Sequence, residues 1–414
     1  MKSRKKFIIV ISSFNHGGIE ILVERLCDAL KEKYEFHIFI LSSKYDQNLL
    51  EQLQKKARVY FPTQYTFFSM GIVNIVGVNT VLPIKPKFHD LISRADHIHA
   101  TDSHSMIFIK KILTKEVLNP SYSIGNYHSE EYLWHSPFWF RKFELDSIKS
   151  LNPEHVFSMN QNSVDKLIKT LGSKFVGSKK MPAGIKLPVF DKNSDFYMRE
   201  NKVVCLGRLV KFKSYIEFFI REIPDILIDF PDFEFHIYGD GPEREHLQKL
   251  SQSLPVYFHG TIELKNISKV LSSFKLFIGS GTSILTASAL GIPSIIGIES
   301  CKSAITYGFL HETKDYDYQE LGLNYELVPI SKKVIEVLKA TKKEYELLCN
   351  LARKRSEEFC ITKTAKMLET APRLEKQFKF SKLERFRYLC SVFAWTLLNK
   401  LKIISSKKTR HYIR

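Results

Sequence analysis

The chain has 414 residues, which is too many for one ordinary hydrophobic core and about right for two domains. Its 44% hydrophobic and 26% charged residues exclude an intrinsically disordered chain. The formal net charge of +18 indicates an anionic partner, namely a membrane surface, a nucleic acid or a phosphorylated substrate.

The first half of the chain alternates between strand-like and helix-like segments, which predicts a parallel, doubly wound sheet. An apolar run at residues 7–11 is too short for a signal peptide and is interpreted as the first strand. Gly17 and Gly18 stand just before the first predicted helix, where glycines let a ligand approach the backbone closely. A tight strand-to-helix turn is the alternative explanation of this pair. Residues 1–186 are therefore predicted to form one Rossmann-like domain.

Candidate site residues follow two other strands of this half. His128 follows the strand predicted at 121–124, and Asn160 follows the strand predicted at 155–157. Because ligands bind beyond the carboxyl ends of parallel strands, both residues are candidates for a binding site. Trp134 belongs to an aromatic block that suits stacking on a sugar or contact with lipid. The alternatives are a loop histidine without a role and aromatic side chains that only pack between helices.

Residues 203–298 contain four apolar runs that each end in glycine, with helical segments between them. This alternation predicts a second doubly wound domain at 187–372, and the polar stretch 191–201 is the best candidate for the linker. Two cations, Arg208 and Lys213, follow the first run, and Gly281 opens a helix after the fourth. Cations and a helix N-terminus together suit a diphosphate, whereas a solvated pair of loop cations is the alternative.

The last segment, 373–414, has a different composition. Its apolar residues recur every three or four positions, and lysines and arginines lie among and beside them. This pattern predicts a basic amphipathic helix that contacts an anionic membrane surface through residues 383–410. A terminal helix packed on its own domain is the alternative. The apolar positions are Leu383, Phe386, Cys390, Phe393, Leu397, Leu401 and Ile404.

Four ordered motifs of the second half are Gly207-Arg208-Leu209-Val210 with Lys213, Gly239-Asp240-Gly241-Pro242, Phe258-His259-Gly260, and Gly279 to Ala289 followed by Gly291-Ile292-Pro293. Through these motifs the second half resembles the C-terminal domain of family 4 glycosyltransferases, which have the two-domain GT-B architecture. The first half is similar to the acceptor domain of that family more loosely, through Gly17-Gly18-Ile19-Glu20, His128 and Asn160. The resemblance implies two Rossmann-like domains, and the amphipathic tail lies outside it.

The family implies transfer of a sugar from a nucleotide diphosphate sugar to an acceptor bound mainly by the first domain. Arg208 and Lys213 are then expected to stabilise the departing diphosphate, and His128 to lie near the donor sugar. Trp134 and Asn160 are expected on the acceptor side. The architecture generally works without a metal, and no cofactor is expected. Residues expected to contact the donor are Gly17, Gly18, Gly207, Gly239, Gly241, Gly281, Thr282, Ser283, Thr286 and Glu299.

One position departs from the family. The glutamate that usually holds the donor ribose, just before the Ala-x-Ala-x-Gly-x-Pro segment, is Thr286 here. A threonine hydroxyl cannot accept two hydrogen bonds in the way a carboxylate does. The ribose is therefore expected to be held by Glu299 or by backbone amides.

These patterns predict a cytoplasmic glycosyltransferase, peripheral on the inner face of the cell membrane, with a lipid-linked saccharide as acceptor. The pathway implied by the resemblance is bacterial surface polysaccharide or lipopolysaccharide synthesis. A catalytically degenerate scaffold of a membrane biosynthetic complex and a nucleotide-sugar epimerase remain as alternatives. A nucleic-acid partner is not expected, because no recognition motif is present and much of the basicity accompanies the apolar stripe. The six scattered cysteines predict reduced thiols and no metal site.

Overall fold

The computed structural model describes residues 4–15, 17–67, 75–113, 119–128, 131–133, 136–188, 200–374 and 378–401. The chain forms two compact units, which we call unit 1 (Met1–Gly184 with Thr364–Arg414) and unit 2 (Ile185–Lys363). The division after Gly184 lies two residues from the expected domain boundary at 186, and the segment 373–414 belongs to unit 1. The expected linker at 191–201 lies almost entirely outside the described residues.

Unit 1 is built on a seven-stranded sheet in which every pairing is parallel. Helices cover both faces, so the central strands are apolar at nearly every position instead of alternating. The strands are β1 (Lys5–Ile11), β2 (Tyr34–Ile40), β3 (Arg58–Tyr60), β4 (His97–Ala100), β5 (Ser121–Asn126), β6 (Val156–Ser158) and β7 (Lys179–Lys180).

The strand order of this sheet is β3-β2-β1-β4-β5-β6-β7, so the direction of winding reverses between β1 and β4. Ligands of open α/β sheets bind at such a switch point, outside the carboxyl ends of the strands. The loops after β1 and β4 therefore border the candidate site of unit 1. The helices of this unit are α1 (Gly18–Leu30), α2 (Gln47–Gln54), α3 (Pro62–Tyr65), α4 (Val76–Val81), α5 (Pro86–Ser93), α6 (Ser103–Ile112), α7 (Trp139–Lys149), α8 (Gln161–Leu171) and α16 (Lys382–Lys400).

The C-terminal helix α16 packs one of its faces on unit 1. Tyr388 and Val392 are buried there, and Trp395 packs edge-on against Phe140 of α7 with ring centroids 5.6 Å apart. Val392 lies against α4 at Gly77, where an added Cβ would come within 2.9 Å of the valine Cγ1. On this face the alternative interpretation, a helix packed on its own domain, is therefore correct.

The opposite face of α16 is an exposed apolar stripe. Its large side chains are between 41% and 67% exposed, and Cys390 between them is exposed as well. We call this set the outer stripe: Leu383, Phe386, Cys390, Phe393, Leu397 and Leu401. The remaining predicted member, Ile404, lies outside the described residues. None of the helices in the described part of the chain is both long and apolar enough to cross a membrane.

Unit 2 contains a five-stranded parallel sheet in the order β10-β9-β8-β11-β12. Together the two parallel sheets confirm the predicted α/β fold with two doubly wound, Rossmann-like halves. The strands are β8 (Glu200–Leu206), β9 (Glu234–Tyr238), β10 (Val256–Gly260), β11 (Phe274–Gly279) and β12 (Ser294–Ile296), and β13 (Ile305–Thr306) pairs antiparallel with β14 (Val328–Pro329). The helices are α9 (Tyr215–Asp229), α10 (Arg244–Leu250), α11 (Ile267–Leu271), α12 (Gly281–Ala289), α13 (Ile330–Lys339), α14 (Lys342–Ser356) and α15 (Ile361–Glu369), which leads back into unit 1.

Glycine loops at the carboxyl edge of the unit 2 sheet touch one another. The Gly207 amide donates to Tyr238 O at 3.0 Å, and the Gly239 amide donates to Gly260 O at 2.6 Å. A Cβ on Gly239 would lie 1.9 Å from Gly207 O, and the φ of Gly239 is +136°. Only glycine fits there, because both the backbone conformation and the contact exclude a side chain.

Gly239→Ala should therefore lower the free energy of unfolding by about 3 kcal/mol, because strain and overpacking add. Gly322 is the matched control, since its φ is +93° but no heavy atom stands within 4 Å of an added Cβ. Gly322→Ala should cost about 1 kcal/mol, from the backbone alone. Urea unfolding measures both losses, and equal losses would contradict the close contact of the two loops.

Candidate functional site

The switch point of the unit 2 sheet lies between β8 and β11. The loop after β8 carries Gly207, Arg208 and Lys213, and the loop after β11 carries Ser280 and leads into α12 at Gly281. Topology therefore brings the predicted cations and the predicted helix N-terminus to one place. We call this place the donor-side site.

The two cations lie close together in this site. The Lys213 ammonium lies against Gly207, where an added Cβ would stand 2.5 Å from Nζ. Burial lowers the pKa of Lys213, the Arg208 charge lowers it further, and the Glu299 carboxylate raises it. Arg208 itself is exposed. One partly sheltered cation and one exposed cation therefore share the same loop.

Glu299 joins them from the segment after β12. Its Oε1 accepts a hydrogen bond from Ser280 Oγ at 2.8 Å. Burial raises the pKa of Glu299, while the Ser280 bond and the charges of Lys213 and Arg208 lower it. A carboxylate thus stands beside both cations, and a contact between Glu299 and a ribose stays a prediction.

The N-terminus of α12 is arranged differently from the expectation. Ser280 occupies the N-cap position, but its hydroxyl bonds Glu299 and leaves the helix amides uncapped. The Gly281 amide donates instead to Gln319 Oε1 at 2.5 Å. An anion at this helix end must therefore displace the Gln319 side chain or use the next amides, those of Thr282 and Ser283.

The Thr286 hydroxyl is bonded within α12, and its contact with the donor stays a prediction. The hydroxyl donates to Thr282 O at 2.9 Å, one turn earlier in α12. The hydroxyl proton is therefore used within the helix, and only acceptor capacity remains. Ser280 and Gln319 were not predicted as site residues, although a serine just before a helix is a recognisable N-cap signal.

The neighbouring helix α9 begins without a side-chain cap. Ser214 and Glu217 have the spacing of a capping box, but Ser214 Oγ donates to Cys301 O at 2.7 Å and Glu217 pairs with Arg221. The helix continues through Pro224. Gly241, at the other predicted donor loop, lies so close to Leu209 that an added Cβ would be 2.2 Å from its carbonyl oxygen.

In unit 1 the two glycines after β1 have different roles. Gly17 is the N-cap of α1, and the Glu20 carboxylate folds back over it, 2.5 Å from where a Cβ would stand. Gly18 is exposed, and no heavy atom lies within 4 Å of its would-be Cβ. Gly18 therefore offers open backbone, while Gly17 makes room for an acidic side chain.

A buried chain of hydrogen bonds fixes the loop that carries His128. His128 is exposed, whereas the ring of the preceding Tyr127 lies across Gly125. The Tyr127 hydroxyl is 2.7 Å from His99 Nε2, and His99 Nδ1 is 2.8 Å from Ser123 Oγ. Burial lowers the pKa of His99 to about 3, so its ring is neutral and serves as a fixed link.

Two other predicted residues have different outcomes. Asn160 is the N-cap of α8, where its Oδ1 accepts from the Ser163 amide at 2.9 Å and from Ser163 Oγ at 2.6 Å. A contact between Asn160 and an acceptor stays a prediction. Trp134 lies outside the described residues. In the described part of the chain, no three or more His, Cys, Asp or Glu side chains are grouped to hold a metal ion.

Sequence reasoning missed a buried ionic cluster beside the unit 1 switch point. Glu144 of α7 is fully buried and accepts from Tyr388 of α16 at 2.6 Å. His104 Nδ1 stands 2.8 Å from Glu144 Oε1, and Arg141 Nη1 donates to Oε2 at 3.3 Å. Burial alone would raise the pKa of Glu144, but His104 and Arg141 hold it at about 2. Burial alone would lower the pKa of His104, yet Glu144 raises it overall.

The stability that this cluster contributes should depend on pH. Because the pKa of His104 is raised on folding, its contribution is complete below its ordinary value of about 6.5 and is lost as pH rises through the folded pKa. The Glu144 contribution is present above the ordinary pKa of a glutamate, 4.5, and is lost as pH falls towards about 2. The pair should therefore stabilise the fold most between about pH 4.5 and 6.5.

His104→Gln should lower the free energy of unfolding by about 2 kcal/mol at about pH 5.5 and by less at about pH 9. Ser103→Ala is the control, because its neutral hydroxyl donates to Glu144 Oε2 at 3.0 Å and should cost the same at both pH values. Urea denaturation at the two pH values measures this difference. A His104→Gln cost that does not change with pH would contradict the ion pair.

Comparison with known proteins shows where the chain is similar to others. Residues 200–317 match the model of the family described as glycosyl transferases group 1. This match covers most of unit 2 and includes the loops of Arg208 and Gly281. No curated protein matches the chain.

Solved structures share the fold of both units. HepE of Anabaena in complex with UDP is 16% identical, with a TM-score of 0.59, and the match covers 88% of this chain and 98% of HepE. A glycosyltransferase from Rickettsia africae is 13% identical, with a TM-score of 0.53, over 98% of this chain and 100% of that one. The fold is therefore the GT-B fold, and together with the matched domain it supports a glycosyltransferase.

Proposed function

We propose that this chain, a GT-B protein with a group 1 glycosyltransferase domain, transfers a sugar from a nucleoside diphosphate sugar to a lipid-linked saccharide. The reaction would take place on the cytoplasmic face of the cell membrane, in surface polysaccharide or lipopolysaccharide synthesis. The observation that carries the proposal is the meeting of Arg208, Lys213 and Glu299 at the switch point of unit 2.

The cations suit the departing diphosphate. Negative charge grows on the diphosphate as the glycosidic bond breaks, and prearranged cations stabilise that transition state. Lys213 is partly sheltered from solvent, so its attraction to an anion is screened less than that of a surface lysine. Arg208 is exposed and can form a two-pronged pair of hydrogen bonds with phosphate oxygens.

Glu299 suits the ribose. A carboxylate can accept hydrogen bonds from two neighbouring hydroxyls, and the Ser280 hydroxyl holds Oε1 in position. HepE was solved in complex with UDP and with UDP-glucose, so uridine is the first base to test in this chain. Backbone amides of Thr282 and Ser283 at the start of α12 are proposed to contact the same diphosphate.

The acceptor is proposed to bind unit 1 at the carboxyl edge of its sheet. There His128 presents an exposed ring after β5, while Gly18, whose backbone after β1 is open, keeps its predicted role as a donor contact. His128 is proposed to lie near the donor sugar, on a loop that the Tyr127–His99 hydrogen bond holds in place. Gly18 opens the helix that follows β1, and His128 lies in the loop that follows β5.

Membrane attachment is proposed through the outer stripe of α16. An apolar face that is exposed in water gains free energy when it enters the boundary between lipid head groups and acyl chains. Lys382, Arg387 and Lys400 are exposed on the same helix and suit the negative surface of the inner leaflet. The basic residues at 402–410 continue this charge in the sequence.

Replacing Lys213 tests the role in catalysis. Lys213→Ala should lower turnover by about a hundredfold or more, since a cation against the leaving phosphate is lost. Diphosphate release from a panel of nucleotide sugars measures this, with Lys269→Ala of α11 as the control that keeps normal turnover. Normal turnover of Lys213→Ala would remove this residue from the site. A wild-type protein that neither UDP nor GDP stabilises against heat would favour the scaffold alternative.

Replacing the outer stripe tests the membrane attachment. Leu383→Ser combined with Phe386→Ser, Phe393→Ser and Leu397→Ser should weaken partitioning into vesicles by at least about tenfold, because buried apolar area is lost. Leu321→Ser with Leu347→Ser is the matched control, since these side chains of unit 2 are 56% and 58% exposed. Vesicle co-sedimentation measures both variants. Equal binding of the stripe variant and the wild type would contradict the proposal.

A further inference from the structure

Unit 1 contains a cavity of about 840 Å³ between α7 and the segment that leads into α16. Its apolar part is formed by Trp139, Phe143 and Phe378. Its volume lies within the range of cavities that hold small organic molecules, roughly 300–1,000 Å³. The cavity is therefore large enough to enclose a ligand group, and none of the roles described above uses it.

The cavity is not part of the reacting site. Asn152, Pro153 and His155 line it, and they come directly before β6 at Val156. They therefore lie at the amino edge of the parallel sheet, whereas substrates of such folds bind at the carboxyl edge. A ligand in the cavity would leave the switch point between β1 and β4 free.

Charge in the cavity favours an anion. Four lysines line it against two acidic side chains, Asp146 and Glu384. Glu384 accepts hydrogen bonds from both the amide and the hydroxyl of Ser381, in a capping box at the start of α16. The four lysines are Lys110, Lys142, Lys174 and Lys379.

One of these lysines is held by a hydrogen bond, and two others are exposed. Lys110 Nζ donates to Ser147 Oγ at 2.8 Å and lies over the Phe143 ring, 4.7 Å from its centroid. Lys142 and Lys379 are exposed. An anionic group that enters can therefore meet two exposed lysines in a cavity that aromatic side chains also line.

The cavity borders the start of α16, where the outer stripe begins. Glu384 in its wall directly follows Leu383, the first residue of the stripe. The Arg387 guanidinium lies 4.7 Å from the ring of Trp139, another wall residue. A lipid whose acyl chains lie along the stripe would hold its head group within reach of this cavity.

We propose that the cavity binds the glycerophosphate head group of an anionic phospholipid, with Lys142 and Lys379 as its phosphate ligands. This inference rests on the proposed attachment through the outer stripe, because that contact brings lipid to the cavity. The head-group contact makes attachment selective for anionic lipid, while the stripe supplies the apolar part of the binding.

The test uses the full chain and dihexanoyl phosphatidylglycerol below its micelle concentration, with titration calorimetry as the readout. The wild type should show saturable binding of one lipid per chain. Lys142→Gln with Lys379→Gln should weaken that binding by at least about tenfold, as expected from the loss of two cations. Lys55→Gln with Lys169→Gln removes the same charge from two exposed positions, one directly after α2 and one on α8, and should bind as the wild type does.

A second variant separates the cavity from charge alone. Ser150→Trp keeps every charge but fills part of the space, because Ser150 lines the cavity at the end of α7. It should also abolish saturable binding. Binding that survives Ser150→Trp, or that falls equally in the Lys55→Gln/Lys169→Gln control, would overturn the proposal in favour of diffuse surface charge.

Further outcomes distinguish a lipid phosphate from a free phosphate, and failure of the head-group site from failure of the membrane attachment. If inorganic phosphate binds the wild type as tightly as the short-chain lipid does, the lipid assignment is overturned in favour of a free anion. The outer-stripe variant should keep binding of the short-chain lipid while losing vesicles. If the outer-stripe variant loses vesicle binding but the wild type does not bind the short-chain lipid, the head-group site is overturned. The proposed membrane attachment through the outer stripe is then still supported.

Discussion

The close contact of backbone at the carboxyl edge of the unit 2 sheet is the constraint on which the donor-side site depends. A Cβ on Gly239 would lie 1.9 Å from the carbonyl oxygen of Gly207. A Cβ on Gly207 would lie 2.5 Å from the ammonium nitrogen of Lys213. Any side chain at these glycines would separate the loops and move the lysine. The glycines are therefore needed because they let the loops pack closely. This packing leaves room for the Lys213 ammonium at the carboxyl end of β8, beside the switch point.

A second contact, between α16 and α7, organises unit 1. The buried carboxylate of Glu144 accepts from Tyr388 of α16 and pairs with His104 after β4. Burying a charge is costly unless it is paired and hydrogen-bonded, and here the partners come from α6, from α16 and from α7 itself. The cluster thus joins the C-terminal helix, the helix α7 and the switch-point loop of the sheet.

Much of the fold and part of the candidate site could be predicted from the sequence, because these features depend on residues that are close together in the chain. Apolar runs that end in glycine predicted the parallel strands, and cations beside those glycines predicted the loop of Arg208 and Lys213. The periodicity of the tail predicted the outer stripe, since spacing along a helix decides which residues share a face. What the sequence could not predict are pairings between distant positions. Ser280 bonds Glu299, Gln319 reaches Gly281, and Tyr388 meets Glu144 across 244 positions. Each depends on how the elements pack, so no spacing rule reveals it.

The inward face of α16 has a practical meaning for how the chain can be shortened. Tyr388 and Val392 are part of the hydrophobic core of unit 1, and the Tyr388 hydroxyl satisfies a carboxylate that has no access to water. A truncated protein that ends before residue 382 would open this core and leave Glu144 with one donor fewer. Loss of activity in such a protein would therefore report damage to the core of unit 1. A variant that is meant to test the outer stripe has to keep α16 and change only its outward side chains.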